Sequence, residues 1–142
     1  MKEEFQLDRF IVAHQRDYET AFAEIKSGRK RSHWMWYIFP QVKGLGFSAI
    51  SQHYAIGSLD EAIAFLKDPY LGSNLHSICH ALLQLDTRNA TEVFGRPDDM
   101  KLRSSMTLFA YAAGQPSVFH NVLEKYFDGR YDENTKRILN VE

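Results

Sequence analysis

LDRFIVAHQRDYETAFAEIKSG, residues 7–28, decides the fold class. Leu7, Phe10, Ile11, His14, Tyr18, Ala21, Phe22 and Ile25 recur at steps of three and four. That spacing gathers side chains onto one face of an α-helix. Gly28 follows the last of them, where a left-handed residue closes a helix at no steric cost.

The same spacing returns downstream under start and stop signals. Ser58 with Glu61 makes a capping-box pattern before Ala62, Ile63, Phe65 and Leu66, and Pro69 ends that helix. Leu75, Ile78, Leu82 and Leu85 then share a face of a segment running from Leu71 to Leu85. Asn89 with Glu92 opens a short helix that stops at Gly95. Pro97 and Asp98 open another, with Leu102, Met106, Phe109 and Ala113 as its stripe and Gly114 as its end. Ser117 begins a helix through Phe127 that Gly129 closes, and Asp132 caps the last one. Only Trp34 to Phe39 could be a short extended piece, which Pro40 would confine to an edge. The expectation is an all-α fold, a single compact domain over residues 1–142 built from about six to eight short helices.

Composition narrows the function classes. Apolar residues make up 44% of the 142, enough for a core. Seventeen basic and eighteen acidic side chains leave a formal charge of −1. That balance argues against a general nucleic-acid binder, which relies on a basic face to neutralise phosphates. Cys79 is the single cysteine, so no internal disulfide can form. Lys2, Glu3 and Glu4 interrupt any secretory signal, and the apolar run from Trp34 to Phe39 is far too short to span a bilayer. A cytoplasmic protein without a membrane segment is expected.

The densest chemistry lies in GRKRSHWMWYIFPQVKGLGFSAIS, residues 28–51. Arg29, Lys30 and Arg31 can bind anions, the arginines as planar forks and the lysine as a point charge. His33 can donate, accept or titrate near neutrality. Trp34 and Trp36 offer flat faces to a base or a cation. Gly44 and Gly46 allow close backbone approach, and Ser48 can cap the helix that follows. The same residues read equally well as a buried aromatic hinge beside a solvated basic turn.

Three further groupings carry weaker chemistry. Lys101 with Ser104 and Ser105 could pair a base with a nucleophile, but no glycine elbow or oxyanion signature accompanies them. His76 and His80, four apart on a helix, could chelate a metal, yet no third ligand is evident and no metal is assigned. The acidic residues from Asp128 to Asp132 do not follow a calcium-loop spacing and read better as a helix stop and start.

Several blocks resemble an uncharacterised family, domain of unknown function 1810. The resemblance rests on SHWMWYIFPQ (Ser32 to Gln41), Gly44 to Ser48, Tyr54 to Ile56 and Glu61 to Leu66. It continues through Pro69 to Gly72, Phe94 to Phe109 with its SSMTLF ending, and Phe127 to Thr135. It implies a small all-α cytosolic fold and supplies no agreed activity. Fungal relatives are linked to the biogenesis of a translation elongation factor, which implies a chaperone-like binder. The family pattern tends to carry Arg after the Leu71–Gly72 pair, where this chain has Asn74.

The candidate ligand-binding residues are His33, Trp34, Trp36, Gln41, Lys101, Ser104, Ser105 and Asp132; the polar ones among them, with Thr135, are expected to form one cleft next to the tryptophan-bearing turn. The favoured reading is a binding module that holds an unidentified protein segment or an anionic small molecule, with no cofactor and no assigned catalytic residue. The alternative is an enzyme acting on a nucleotide-derived or phosphorylated molecule. Arg29, Lys30 and Lys101 would hold its anion, and His33 or Asp132 would act as acid–base. RNA binding through the basic-aromatic loop is a weaker third reading. Oligomeric state is not legible.

Overall fold

The structure, a computed structural model, describes residues 5–141. Among these, nine helices follow one another: α1 Asp8–Ser27, α2 Met35–Ile38, α3 Ala49–Tyr54, α4 Leu59–Lys67, α5 Pro69–Gln84, α6 Ala90–Phe94, α7 Asp98–Ala113, α8 Val118–Phe127 and α9 Glu133–Leu139. The fold is all-α, with one helix more than the expected range. The addition is α2, a single turn formed where an extended piece was considered. The Ile38 and Phe39 amides donate to the Trp34 and Met35 carbonyls, and Pro40 stops the turn after one cycle.

The starts follow the sequence signals. Ser58 accepts from the Glu61 amide, Asn89 from Thr91 and Glu92, Ser117 from His120, and Asp132 from Thr135. Pro69 both ends α4 and occupies the first turn of α5, where its missing N–H costs nothing.

The central helix is α7. Nearly every side chain from Leu102 to Ala110 is buried, because α4, α6, α8 and α9 all pack against it. An aromatic chain ties the layers together: Phe10 meets Phe65 at 5.1 Å, Phe65 meets Phe109 at 5.3 Å, and Phe109 meets Phe119 at 5.7 Å between ring centroids. Helices α1 and α5 lie side by side and run the same way, with His14 beside Asn74 and Gly28 beside Leu85.

Two polar junctions fix the rest. His14 is 1% exposed; its Nε2 lies 2.8 Å from the Tyr37 carbonyl and its Nδ1 3.0 Å from the Asn74 amide nitrogen. A neutral ring donating through Nε2 and accepting at Nδ1 satisfies both partners. Burial drives its pKa down to about 4, against the opposing pull of the Tyr37 carbonyl. Lys125 donates to the carbonyls of Leu82, Leu83 and Leu85, closing the C-terminal end of α5.

A parallel bridge between Val42 and Ile56 anchors the loop after α2. The Lys43 amide donates to the Ile56 carbonyl at 2.8 Å and the Ile56 amide to the Gln41 carbonyl at 2.9 Å. This bridge positions Gln41.

Candidate functional site

The turn after α1 is organised by Glu24. Gly28 adopts φ 90°, and its amide and that of Arg29 close the last turn of α1. The chain then doubles back over the Glu24 carboxylate. Oε1 accepts from the Arg31 amide at 2.8 Å, the Ser32 amide at 2.9 Å and the Trp34 indole at 2.9 Å, and Oε2 from the Ser32 hydroxyl at 2.5 Å. Burial pushes the Glu24 pKa up, but these four bonds, that from the Ser32 hydroxyl foremost, outweigh it and hold it down to about 2. Trp34 is therefore interior, 1% exposed, its ring near Phe39 and Phe94.

Lys30 is committed as well. Its amide donates to the Val93 carbonyl at 2.7 Å, and its ammonium lies 2.9 Å from Asp98 Oδ2 and 2.6 Å from the Ser32 carbonyl. The ammonium also stands 5.0 Å from the Trp34 ring. Arg29, Arg31 and His33 remain exposed on the outside of the turn. Between the two sequence readings of this segment, the geometry is that of a pinned aromatic hinge.

A second set of side chains meets elsewhere. Gln41 and Gly46 from the loop, Ser51 from α3, Lys101 and Ser104 from α7, and Asp132 and Asn134 before and within α9 line an open cleft of about 240 Å³. Leu45, Pro97 and Met100 supply its apolar part. Trp36 and Gln41 border a water-sized recess of about 10 Å³ that shares Gly46 and Ser51 with the cleft. Gly46 is required here: a β-carbon on it would come within 2.8 Å of Ser51 Cβ.

Lys101 reaches Asp98 Oδ1 at only 3.6 Å, and its ammonium lies 5.6 Å from the Trp36 ring centroid. Asp132 uses Oδ2 to accept from the Thr135 amide at 3.0 Å and the Thr135 hydroxyl at 2.6 Å. Its own amide donates to Thr107 Oγ1 at 2.8 Å, and Arg103 holds the neighbouring Arg130 and Tyr131 carbonyls. Residue 132 is thus fixed from two elements, its carboxylate by α9 and its backbone by α7. The Gln41 amide and Asp132 Oδ1 make no hydrogen bond to the protein among the described residues.

Of the eight candidate residues, Gln41, Lys101, Ser104 and Asp132 line one cleft, and Trp36 borders the small recess that shares Gln41, Gly46 and Ser51 with it. Trp34 is a correction: its indole is turned into the core by Glu24 and presents no face to a ligand. Ser105 is another: it is fully buried, and its hydroxyl has no hydrogen-bond partner among the described residues. His33 stands outside, not on the cleft; its carbonyl accepts from the Tyr37 hydroxyl at 3.2 Å. Thr135, also fully buried, supports Asp132 from below.

The Ser–Lys pairing does not form as drawn from sequence, because the Ser104 hydroxyl donates to the Met100 carbonyl at 3.3 Å. His76 uses Nδ1 against the Gly72 carbonyl at 2.9 Å. Among the described residues no group of three or more His, Cys, Asp or Glu side chains could hold a metal ion. Glu24 went unread in the sequence. Its signal is a carboxylate one turn before the helix-ending glycine, where the reversing chain brings its amides back.

This all-α arrangement has known counterparts. The family model for proteins of unknown function (DUF1810) matches residues 4–139, and the chain belongs to that family. A crystal structure of the conserved hypothetical protein Rv1873 from Mycobacterium tuberculosis is similar to it, at 44% identity over 99% of this chain and 100% of that one, with a TM-score of 0.95. No curated protein matches the chain. Among the described residues no helix is long and apolar enough to cross a membrane.

Proposed function

We propose that the chain is a binding module that holds a segment of another protein in the cleft between the Gln41–Ser51 loop, the first turns of α7 and the Asp132 turn. One observation carries this reading: polar groups from three distant stretches, the Gln41 amide, the weakly paired Lys101 ammonium and the Asp132 carboxylate, line one open cleft. The Gln41 and Asn134 amides match the alternating donors and acceptors of a peptide backbone. Lys101 and Asp132 balance in charge, which suits a segment with mixed polarity better than a phosphate. Met100, which lines the cleft and is 48% exposed, gives apolar purchase there. A chaperone-like role is the form of this reading that the family resemblance implies, and cytosolic location is its natural setting.

The enzyme reading draws less support. Lys30, one of its three anion-binding cations, is already paired to Asp98, and Arg29 and His33 lie off the cleft.

The test is site-directed photo-crosslinking in cells, with the crosslinker at Gln41 and, as a control, at Arg29. Protein segments should be captured from Gln41 and not from Arg29, and the same segments as synthetic peptides should lose binding about tenfold against Lys101→Met, the loss of one good charge-assisted contact. If Gln41→Ala, Lys101→Met and Asp132→Asn each retain every interaction of the parent chain, the reading fails. Turnover of a nucleotide or phosphorylated substrate that depends on Lys101 would replace it with the enzyme reading.

A further inference from the structure

A different face of the molecule carries a second cavity. Where α1 and α5 lie side by side, Phe22 and Lys26 of α1 and Ser77, Ala81 and Leu85 around α5 bound a groove of about 460 Å³. The groove exists because Ser77 and Ala81, one turn apart, are too small to fill the space between the Phe22 ring and Leu85. Its floor is hydrocarbon: Ala81 and the half-buried Phe22 and Leu85, with the Tyr18 ring 5.9 Å from Phe22.

The rim is polar and of one sign. Lys26 and His80 border the groove together with Gln84, and no carboxylate lines it. Lys26 makes no ion pair among the described residues, and its ammonium lies 5.8 Å from the Phe22 ring. Nor is it needed as a helix cap. The last carbonyls of α1 are closed by the Gly28 and Arg29 amides and those of α5 by Lys125. An apolar floor of this volume with few polar groups at one edge is the make-up of a small-molecule site.

We propose that this groove binds a small molecule with an apolar body and a single carboxylate head. The body lies on Phe22, Ala81 and Leu85, and the carboxylate pairs with Lys26, with the His80 and Gln84 side chains as further donors. The site shares no residue with the cleft and does not depend on that reading.

The experiment is an amide NMR titration of the full chain with decanoate below its micellar range, beside decanol and decylammonium at equal concentration. Decanoate should move the amides of residues 19–28 and 77–86 and leave those of Gln41, Lys101 and Asp132 in place. It should bind about tenfold tighter than decylammonium, the effect of one productive charge pair. Lys26→Gln, an exposed change that leaves the fold intact, should remove that preference. Ala81→Leu should weaken all three probes by filling the floor, and the thermal midpoint of each variant confirms that it has folded. Equal binding of the three head groups overturns the proposal. So do shifts at the cleft instead of the groove, an unchanged preference in Lys26→Gln, or self-association of the chain through this face that decanoate does not compete with.

Discussion

Two lysine–tryptophan pairs share one aspartate. Lys30 stands over Trp34 and Lys101 over Trp36, and both ammonium groups reach Asp98. The chemistry is the same, yet the two have opposite characters. The Lys30 side chain is 7% exposed and 2.9 Å from its carboxylate oxygen, and its ring partner is interior. The Lys101 side chain is 27% exposed and 3.6 Å from its oxygen, and its ring partner borders a recess. The difference is made by Glu24, which pins the first pair from beneath, whereas the second sits at the start of α7 facing open space. Residue type alone assigns neither role; commitment of the polar atoms does.

The comparison breaks first at the tryptophans. Trp34→Ala should cost roughly 3–5 kcal/mol of folding stability, as removal of a fully buried indole does. Trp36→Ala should cost clearly less, about 1–2 kcal/mol, in keeping with partial burial. Urea melts of the two variants measure this, and equal losses would erase the distinction between hinge and cleft.

Acid tests the hinge side from another direction. The folded His14 pKa of about 4 lies below the ordinary 6.5, so the unfolded chain binds the extra proton between those values. The stability due to a neutral His14 is complete above pH 6.5 and is lost, up to about 3 kcal/mol, as pH falls to about 4. His120, lowered by burial, adds in the same direction. Glu24 acts in a later window: its carboxylate is held to about 2, so its contribution is complete above 4.5 and disappears below that. NMR titration of the His14 ring beside denaturant melts at stepped pH separates the two phases. A His14 midpoint near 6.5 would contradict the buried geometry.

Glu24→Gln should cost about 2 kcal/mol, since an amide nitrogen would then face donors that now meet a carboxylate. The indole fluorescence of Trp34 should report the loosened turn. At Ser105 the sign reverses. Its hydroxyl is buried without a partner, so Ser105→Ala should be neutral or stabilising by up to about 1 kcal/mol, read as a raised thermal midpoint. The smallest effects belong to the cleft. Lys101→Met and Asp132→Asn should each change stability by less than about 0.5 kcal/mol, because Lys101 is weakly paired and Asn caps a helix as Asp does. Calorimetry showing losses above 1.5 kcal/mol would make these residues scaffold instead.

Helices with internal signals were legible: Ser58, Asn89, Ser117 and Asp132 each cap the helix that the sequence has them open. The turn at Met35–Ile38 was not, because four residues are too few to distinguish a helical period from an extended one. The meeting of Gln41, Lys101, Ser104 and Asp132 could be anticipated from shared family blocks, but not their arrangement, which depends on the Val42–Ile56 bridge and the Arg103 contacts. The direction of Trp34 was hidden for the same reason. It follows from a carboxylate ten positions earlier, two of whose four partners are backbone amides, and those carry no sequence signature.

Asp68 has a consequence for cooperativity. It is the only residue between α4 and α5, ending the first through its amide and starting the second through its carboxylate on Tyr70 and Leu71. Neither helix can fray at that corner without exposing unsatisfied groups on the other. The two should therefore open as a single unit, with amide exchange rates that rise together, and an inserted residue there would rotate the Leu71–Leu75–Ile78 face by about a quarter turn out of register.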